Sequence, residues 1–107
     1  MERTFGAHLK ELIRSAGLTQ QSFYEQLGIT KAYFYDIVSG RVNPMPARLQ
    51  FRTVEILKLD ESESNTFFDL AAREREEIPV DIAKSIKSNH QTADLLRAWL
   101  KQLSINV

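Results

Sequence analysis

Hydrophobic residues recur at three- and four-residue intervals along almost the whole chain, a spacing that predicts a succession of short helices. Phe5, Leu9, Leu12, Ile13 and Ala16 form one stripe, which places a first helix over about residues 4–16, ended by Gly17. Phe23 and Leu27, then Phe34 and Ile37, make two smaller apolar faces on either side of Gly28. A fourth helix over about residues 46–58 carries Leu49, Phe51, Val54, Ile56 and Leu57, which do not share a single stripe. A helix apolar on two sides is buried on two sides, so Phe51 and its neighbours are expected to meet the C-terminal part and join the halves in one cooperative unit. Asp60-Glu61-Ser62-Glu63 reads as a capping box opening a fifth helix that runs to about residue 75 and buries Phe67, Phe68, Leu70 and Ala71. The Glu74 to Glu77 run reads as a solvated turn. Pro79 restarts the chain in a sixth helix, residues 80–88, with Ile82 and Ile86 one turn apart. After Asn89, a stop or cap, a seventh over about residues 91–103 shows Leu95, Leu96, Trp99, Leu100 and Leu103 on one face. The expected fold class is all-α, a compact bundle of about seven short helices, with residues 1–59 as one domain and residues 60–107 as a helical extension packed on it.

The stretch from Gln20 to Ser39, QQSFYEQLGITKAYFYDIVS, organises the N-terminal half. Its faces at Phe23/Leu27 and Phe34/Ile37 bracket a break at Gly28, the spacing of a helix-turn-helix. Gly28 takes the left-handed backbone that stops the first of the two helices, Thr19 caps that helix, and Thr30 caps the second, over residues 31–39. The outward positions of this second helix are Lys31, Ala32, Tyr33, Tyr35 and Asp36, a surface suited to meeting base edges. With the flanking LKELIRSAGLTQQSFYEQLGI and the closing SGRVNPMP, the chain resembles the XRE-type regulators, the helix-turn-helix family of phage Cro proteins and repressors. The resemblance covers about residues 5–59. It rests on Leu18-Thr19-Gln20 entering the first helix, Gly28 at the turn, and Ser39-Gly40-Arg41 closing the second. One position departs from the family pattern: Tyr24 stands where a small residue, often Ala, usually packs between the two helices, so it must point outward or widen their angle.

The resemblance implies a lambda-repressor-like helix-turn-helix acting as a dimeric, sequence-specific regulator, a repressor that reads an inverted repeat of double-stranded DNA. The first turn of a recognition helix points into the major groove. Lys31 is then a donor to guanine O6 or N7 or to a phosphate, and Ala32 a surface for a thymine methyl. Tyr33 and Tyr35 reach base or phosphate through their hydroxyls, unless one of them lies in the core beside Phe34. Asp36 accepts from a cytosine amino group or pairs with Arg41 or Lys31. Base contacts are thus expected from Lys31, Ala32, Tyr33 and Asp36. Backbone contacts are expected from Thr19 and Gln20 at the positive end of a helix dipole, from Tyr35, and from Arg41 and Asn43 in the loop that the family lays along the phosphates. Arg48 is a weaker candidate. A single reading helix supplies few contacts, which favours a homodimer formed through some part of residues 60–107. The face of Leu95, Leu96, Trp99, Leu100 and Leu103 is the candidate for a dimer or partner contact.

Formal net charge is zero, which alone argues against nucleic acid, but its distribution changes the picture. Residues 1–58 hold eight basic groups (Arg3, Lys10, Arg14, Lys31, Arg41, Arg48, Arg52, Lys58) against five acidic ones (Glu2, Glu11, Glu25, Asp36, Glu55), a net +3. The remainder carries six against nine, a net −3. The absence of cysteine excludes disulfides and thiolate metal sites. His8, at the edge of the first stripe, and the distant His90 have no carboxylate at ligand spacing and read as boundary or surface residues, so no metal or cofactor is expected. No Gly-rich phosphate loop, HExxH or GxSxG is present, which makes an enzyme the rejected class. The N-terminus lacks an apolar signal region and no run is long enough to span a membrane, so a soluble, cytoplasmic protein is expected. A second class stays open: an antitoxin or protein-interaction module whose acidic C-terminal helices mask a basic partner protein, as opposed to a regulator whose protein partner is RNA polymerase.

Overall fold

A computed structural model describes residues 3–103, which form seven helices and no strand. These are α1 (Phe5–Ser15), α2 (Gln20–Leu27), α3 (Lys31–Val38), α4 (Ala47–Leu57), α5 (Glu61–Arg75), α6 (Val80–Ser88) and α7 (His90–Gln102). None is long and apolar enough to cross a membrane. The boundaries follow cap chemistry. Thr4 caps α1 by accepting from the Ala7 N–H at 3.1 Å, and Asp60 and Glu63 form the reciprocal capping box of α5, at 2.8 and 3.3 Å. Asn89 both ends α6 and caps α7, so α7 opens one residue earlier than the pattern suggests. Pro46 sits outside α4 as its N-cap, with extended backbone (ψ 169°), and Ala47 takes the first helical position expected for the proline.

The helices fall into two compact units, Met1–Glu77 and Ile78–Val107. In the first, α1 is the central element, packing against α2, α3 and α5. Phe5, Leu9 and Ile13 from α1, Phe23, Phe34, Ile37, Met45, Leu49 and Phe67 make its core. The helix α5, which the sequence pattern placed in an extension packed on residues 1–59, lies within this first unit. The Phe67 ring lies 5.2 Å from Phe5, and Phe68 lies 5.3 Å from the half-buried Phe51 of α4, so residues 1–59 alone would leave α1 and α4 uncovered. This is the second burial that the two-sided pattern of α4 called for. The approach of α1 to α3 is made by Gly6, where a methyl group would overlap the backbone carbonyl of Val38.

Two expectations need correction. The Glu74 to Glu77 run is no free turn. A Glu74 carboxylate oxygen accepts from the Phe5 N–H at 2.6 Å, satisfying an orphan donor at the start of α1. Arg75 donates to the Pro44 carbonyl at 2.7 Å while Glu77 holds its guanidinium through two bonds of 3.1 Å. His8 is not a surface residue but buried, its Nδ1 accepting from Arg3 at 3.1 Å. Burial, then the Arg3 charge, hold its pKa below the ordinary histidine value.

In the second unit α6 and α7 pack on each other across the single residue Asn89, and neither helix has a fully buried side chain.

Candidate nucleic-acid interface

Local chemistry sets the α2–turn–α3 geometry. Thr19 Oγ1 accepts from the Ser22 N–H at 3.0 Å and opens α2. Gly28 closes it in the left-handed conformation, φ 83°, while the Ile29 N–H reaches back to the Tyr24 carbonyl at 3.1 Å. Two residues later Thr30 Oγ1 accepts from the Tyr33 N–H at 3.1 Å and opens α3. Phe34 pins the pair: its ring lies 6.0 Å from Phe23, 5.6 Å from Tyr24 and 5.5 Å from Tyr35. Tyr24, in the position of the usual small residue, is therefore neither core nor free, but half-buried against the Phe34 ring.

With Phe34 and Ile37 buried, the opposite side of α3 at 100° per residue is centred on Ala32 and Ser39, with Tyr35 and Asp36 beside them. Lys31, Ala32, Tyr35 and Ser39 are exposed, and the Lys31 ammonium lies over the Tyr35 ring at 5.9 Å from its centroid. Tyr33 is half-buried and falls at the flank of this stripe. Neither tyrosine occupies the core, although Tyr35 sets its edge against Phe34 and is still 44% exposed. Ser39 at the α3 C-cap shares the stripe and was missed by the sequence reading, which placed it only as a helix terminator.

Asp36 pairs with Arg41 at 3.1 Å, the second of the two roles that its sequence position left open. Its backbone carbonyl also accepts from the Arg41 N–H at 2.9 Å and from the Ser39 hydroxyl at 3.2 Å, so the loop after α3 wraps around one residue. That loop is anchored below: Met45 is buried, its carbonyl accepts from buried Gln50 at 2.8 Å, and Arg75 grips Pro44. Asn43 is exposed on it. At the other end of the motif, a groove of about 560 Å³ runs between α1 and the start of α2, lined among others by Lys10, Glu11, Arg14, Leu18 and Gln20. Lys10 and Arg14, one helical turn apart on the exposed side of α1, thus join Gln20 in flanking the N-terminus of α2, where the helix dipole favours an anion. Their i, i+4 spacing was the signal that would have added them to the site.

The structure therefore gathers Lys31, Ala32, Tyr35, Asp36 and Arg41 on and beside one exposed face, leaves Tyr33 at its margin, and sets Thr19 and Gln20 at the head of α2. The apolar face of α7 lies in the other unit: Leu95, Trp99 and Leu103 are exposed, and Leu96 and Leu100 half-buried. Among the described residues no cluster of His, Asp or Glu is placed to hold a metal ion. No curated protein and no solved structure matches the chain significantly. A family model described as a helix-turn-helix domain does match, over residues 4–67, from the cap of α1 to the middle of α5. Covering more than half of the chain and coinciding with the elements just described, that match shows that the protein belongs to this helix-turn-helix domain family, within the XRE-like group.

Proposed function

We propose that this protein is a sequence-specific regulator of transcription that reads double-stranded DNA by placing α3 in the major groove, and that it acts as a dimeric repressor on an inverted repeat. The observation that carries this reading is the stripe of exposed Lys31, Ala32 and Tyr35 with half-buried Asp36 on a capped second helix of a helix-turn-helix. Lys31 donates to guanine O6 or N7 in the first turn, and Ala32 meets a thymine methyl. Asp36 orients Arg41 toward a phosphate and keeps its second oxygen for a cytosine amino group. Tyr35, Gln20, Asn43 and the α2 N-terminus at Thr19 hold the backbone, joined by Lys10 and Arg14. Tyr33 takes a flanking contact. Binding over a promoter would occlude it; a bound dimer beside one would touch polymerase.

The partner-module reading is changed by where the charge lies. Of the acidic groups after residue 59, seven fall in residues 60–77 against two basic ones, whereas residues 78–107 hold four basic groups and two acidic. A basic toxin would therefore meet α5, not α6 and α7.

Selection from a random pool of duplex DNA at about 0.1 M salt, run beside a Lys31→Ala, Tyr35→Ala variant, tests the regulator reading. It predicts an enriched inverted repeat with half-site centres about 10 bp or a multiple apart, which the variant fails to select. Absence of enrichment at low salt as well would end it.

A further inference from the structure

Arg75 reaches from the end of α5 to the loop that follows α3. Its Nη1 donates to the Pro44 carbonyl at 2.7 Å, while Nε and Nη2 donate to the two carboxylate oxygens of Glu77 at 3.1 Å each. The backbone aims this fork. The helix closes with Glu76 in the left-handed conformation, φ 56°, and with the Glu77 N–H donating to the Ala72 carbonyl at 3.0 Å, a turn that brings the Glu77 carboxylate back beside Arg75. A planar guanidinium held along one edge by a carboxylate has its remaining N–H groups in set directions. Here they meet Pro44.

The loop is a stretch that needs holding from outside. Pro44 and Pro46 carry no N–H, so it cannot bind itself into a backbone ladder. The carbonyls of Pro44 and Met45 accept instead from side chains of two other helices, Arg75 of α5 and, at 2.8 Å, Gln50 of α4. The hold on Pro44 carries backward along the chain. The peptide bond before Pro44 is planar and its ring fixes φ, so a carbonyl fixed in place sets the one remaining torsion and with it the position of Asn43. Asn43, with a proline after it, is itself kept from helical backbone. At the other end the Arg41 N–H donates to the Asp36 carbonyl at 2.9 Å. The exposed residues 41–43 are thus tied on one side to α3 and on the other, through Pro44, to Arg75. Arg75 is poorly placed to meet DNA directly, because its side chain is only 23% exposed and its charge is paired with Glu77. From this geometry we infer that Arg75 is a positioning residue for DNA binding: it holds residues 41–43 in the pose in which Arg41 and Asn43 meet phosphates, without touching DNA itself. The match to the helix-turn-helix family ends at residue 67, so this clamp lies beyond the matched segment.

The inference rests on the DNA reading proposed above, and its test has one arm without DNA and one with it. Full-chain Arg75→Ala and Arg75→Lys are compared with the natural chain well below the lowest melting temperature, found by circular dichroism. Lysine retains the apolar stem and the charge, and so serves where alanine lowers that temperature too far. Without DNA, nitrogen-15 relaxation should show the backbone order parameters of Val42 and Asn43 falling in both variants, from about 0.85 to under about 0.6. With the duplex that the natural chain enriches from a random pool, both variants should bind roughly tenfold or more weakly. In an Arg41→Ala, Asn43→Ala background, Arg75→Ala should cost less than about twofold further, since a positioning residue has no effect once the groups it positions are gone. Unchanged loop order in both variants overturns the inference. So does an Arg75→Lys chain that binds as the natural one does, because charge alone then suffices, and so does a tenfold loss that persists in the double-alanine background. A loosened loop with affinity unchanged overturns this inference and leaves the DNA reading standing. A natural chain that selects no duplex at all ends the DNA reading and this role with it.

Discussion

Asp36 and Arg41 illustrate how one side chain limits another on the face of α3 proposed to read DNA. A carboxylate close to phosphates repels them, and here it is half-buried and bound to a guanidinium whose side chain is 77% exposed. So exposed a pair contributes little to folding, under about 1 kcal/mol, so on the proposed function its effect belongs to DNA binding. Arg41→Ala is expected to leave the melting temperature nearly unchanged, weaken binding to all duplexes alike, and lower the slope of log affinity against log salt by about 1. Asp36→Asn has the opposite signature: stronger binding to unrelated DNA and less discrimination at one base pair, both read from competition binding at fixed salt. His8 acts on stability instead. Its Nδ1 accepts from Arg3, its Nε2 is buried without a partner, and Glu11 and Glu63 are the acids near enough to oppose the shift. Because the folded pKa lies below the unfolded value of 6.5, the unfolded chain takes up the proton first. Stability is therefore full above pH 6.5 and falls as pH drops from there toward the folded pKa. Urea titrations between pH 7 and pH 5 should show this decline, and a His8→Gln variant should flatten it before carboxylates begin to titrate.

The contact between α1 and α3 turns on Gly6. In an isolated helix Gly6→Ala is favourable by roughly 0.5–1 kcal/mol, but here the added methyl meets the Val38 carbonyl, which has no rotamer to move. Overpacking of this kind costs about 1–3 kcal/mol or more, so the net effect is a loss of stability together with a displaced α3, measurable as a lower urea midpoint and weaker DNA binding. A stabilised variant would mean that the two helices lie farther apart than described. Gly6 also shows what the sequence could and could not disclose about the elements. The caps at Thr19 and Thr30 and the box from Asp60 to Glu63 were legible because donor and acceptor are three residues apart. The exposed side of α3 was legible because Phe34 and Ile37 fix the opposite side. Nothing local announces that Gly6 faces Val38, that Glu74 closes the start of α1 across 69 residues, or that Arg75 holds Pro44 across 31. Those are facts of which helices meet, and without them a charged run reads as a solvated turn and the first unit reads as ending at residue 59. The exposed positions of α3 follow the pattern except at Tyr33, which tertiary packing leaves half-buried at the margin, and the sequence pattern does not announce that Lys10 and Arg14 of α1 lie beside the start of α2.

At the scale of the whole chain the two units differ in what holds them. The first closes a core around Phe5, Phe23, Phe34 and Phe67, whereas among the described residues α6 and α7 have no fully buried side chain and keep Leu95 and Trp99 exposed. A chain ending at residue 77 retains every core contact described for the first unit, including Glu74 to Phe5 and Arg75 to Pro44, and should melt cooperatively. One ending at residue 59 loses Phe67 and Phe68 from against Phe5 and Phe51 and should not. DNA binding then separates the work of the units. A lone first unit presents one α3, and joining two of them makes the second contact effectively intramolecular, a gain of about 10²–10⁴ in affinity without any new contact. Residues 1–77 are therefore expected to prefer the same half-site as the full chain in competition binding. Their affinity for the inverted repeat should be lower by that factor, and at low occupancy the bound fraction should rise linearly with protein concentration, not with its square. If residues 1–77 bind the repeat as tightly as the full chain does, pairing arises within the first unit, and α6 and α7 contribute nothing to DNA recognition.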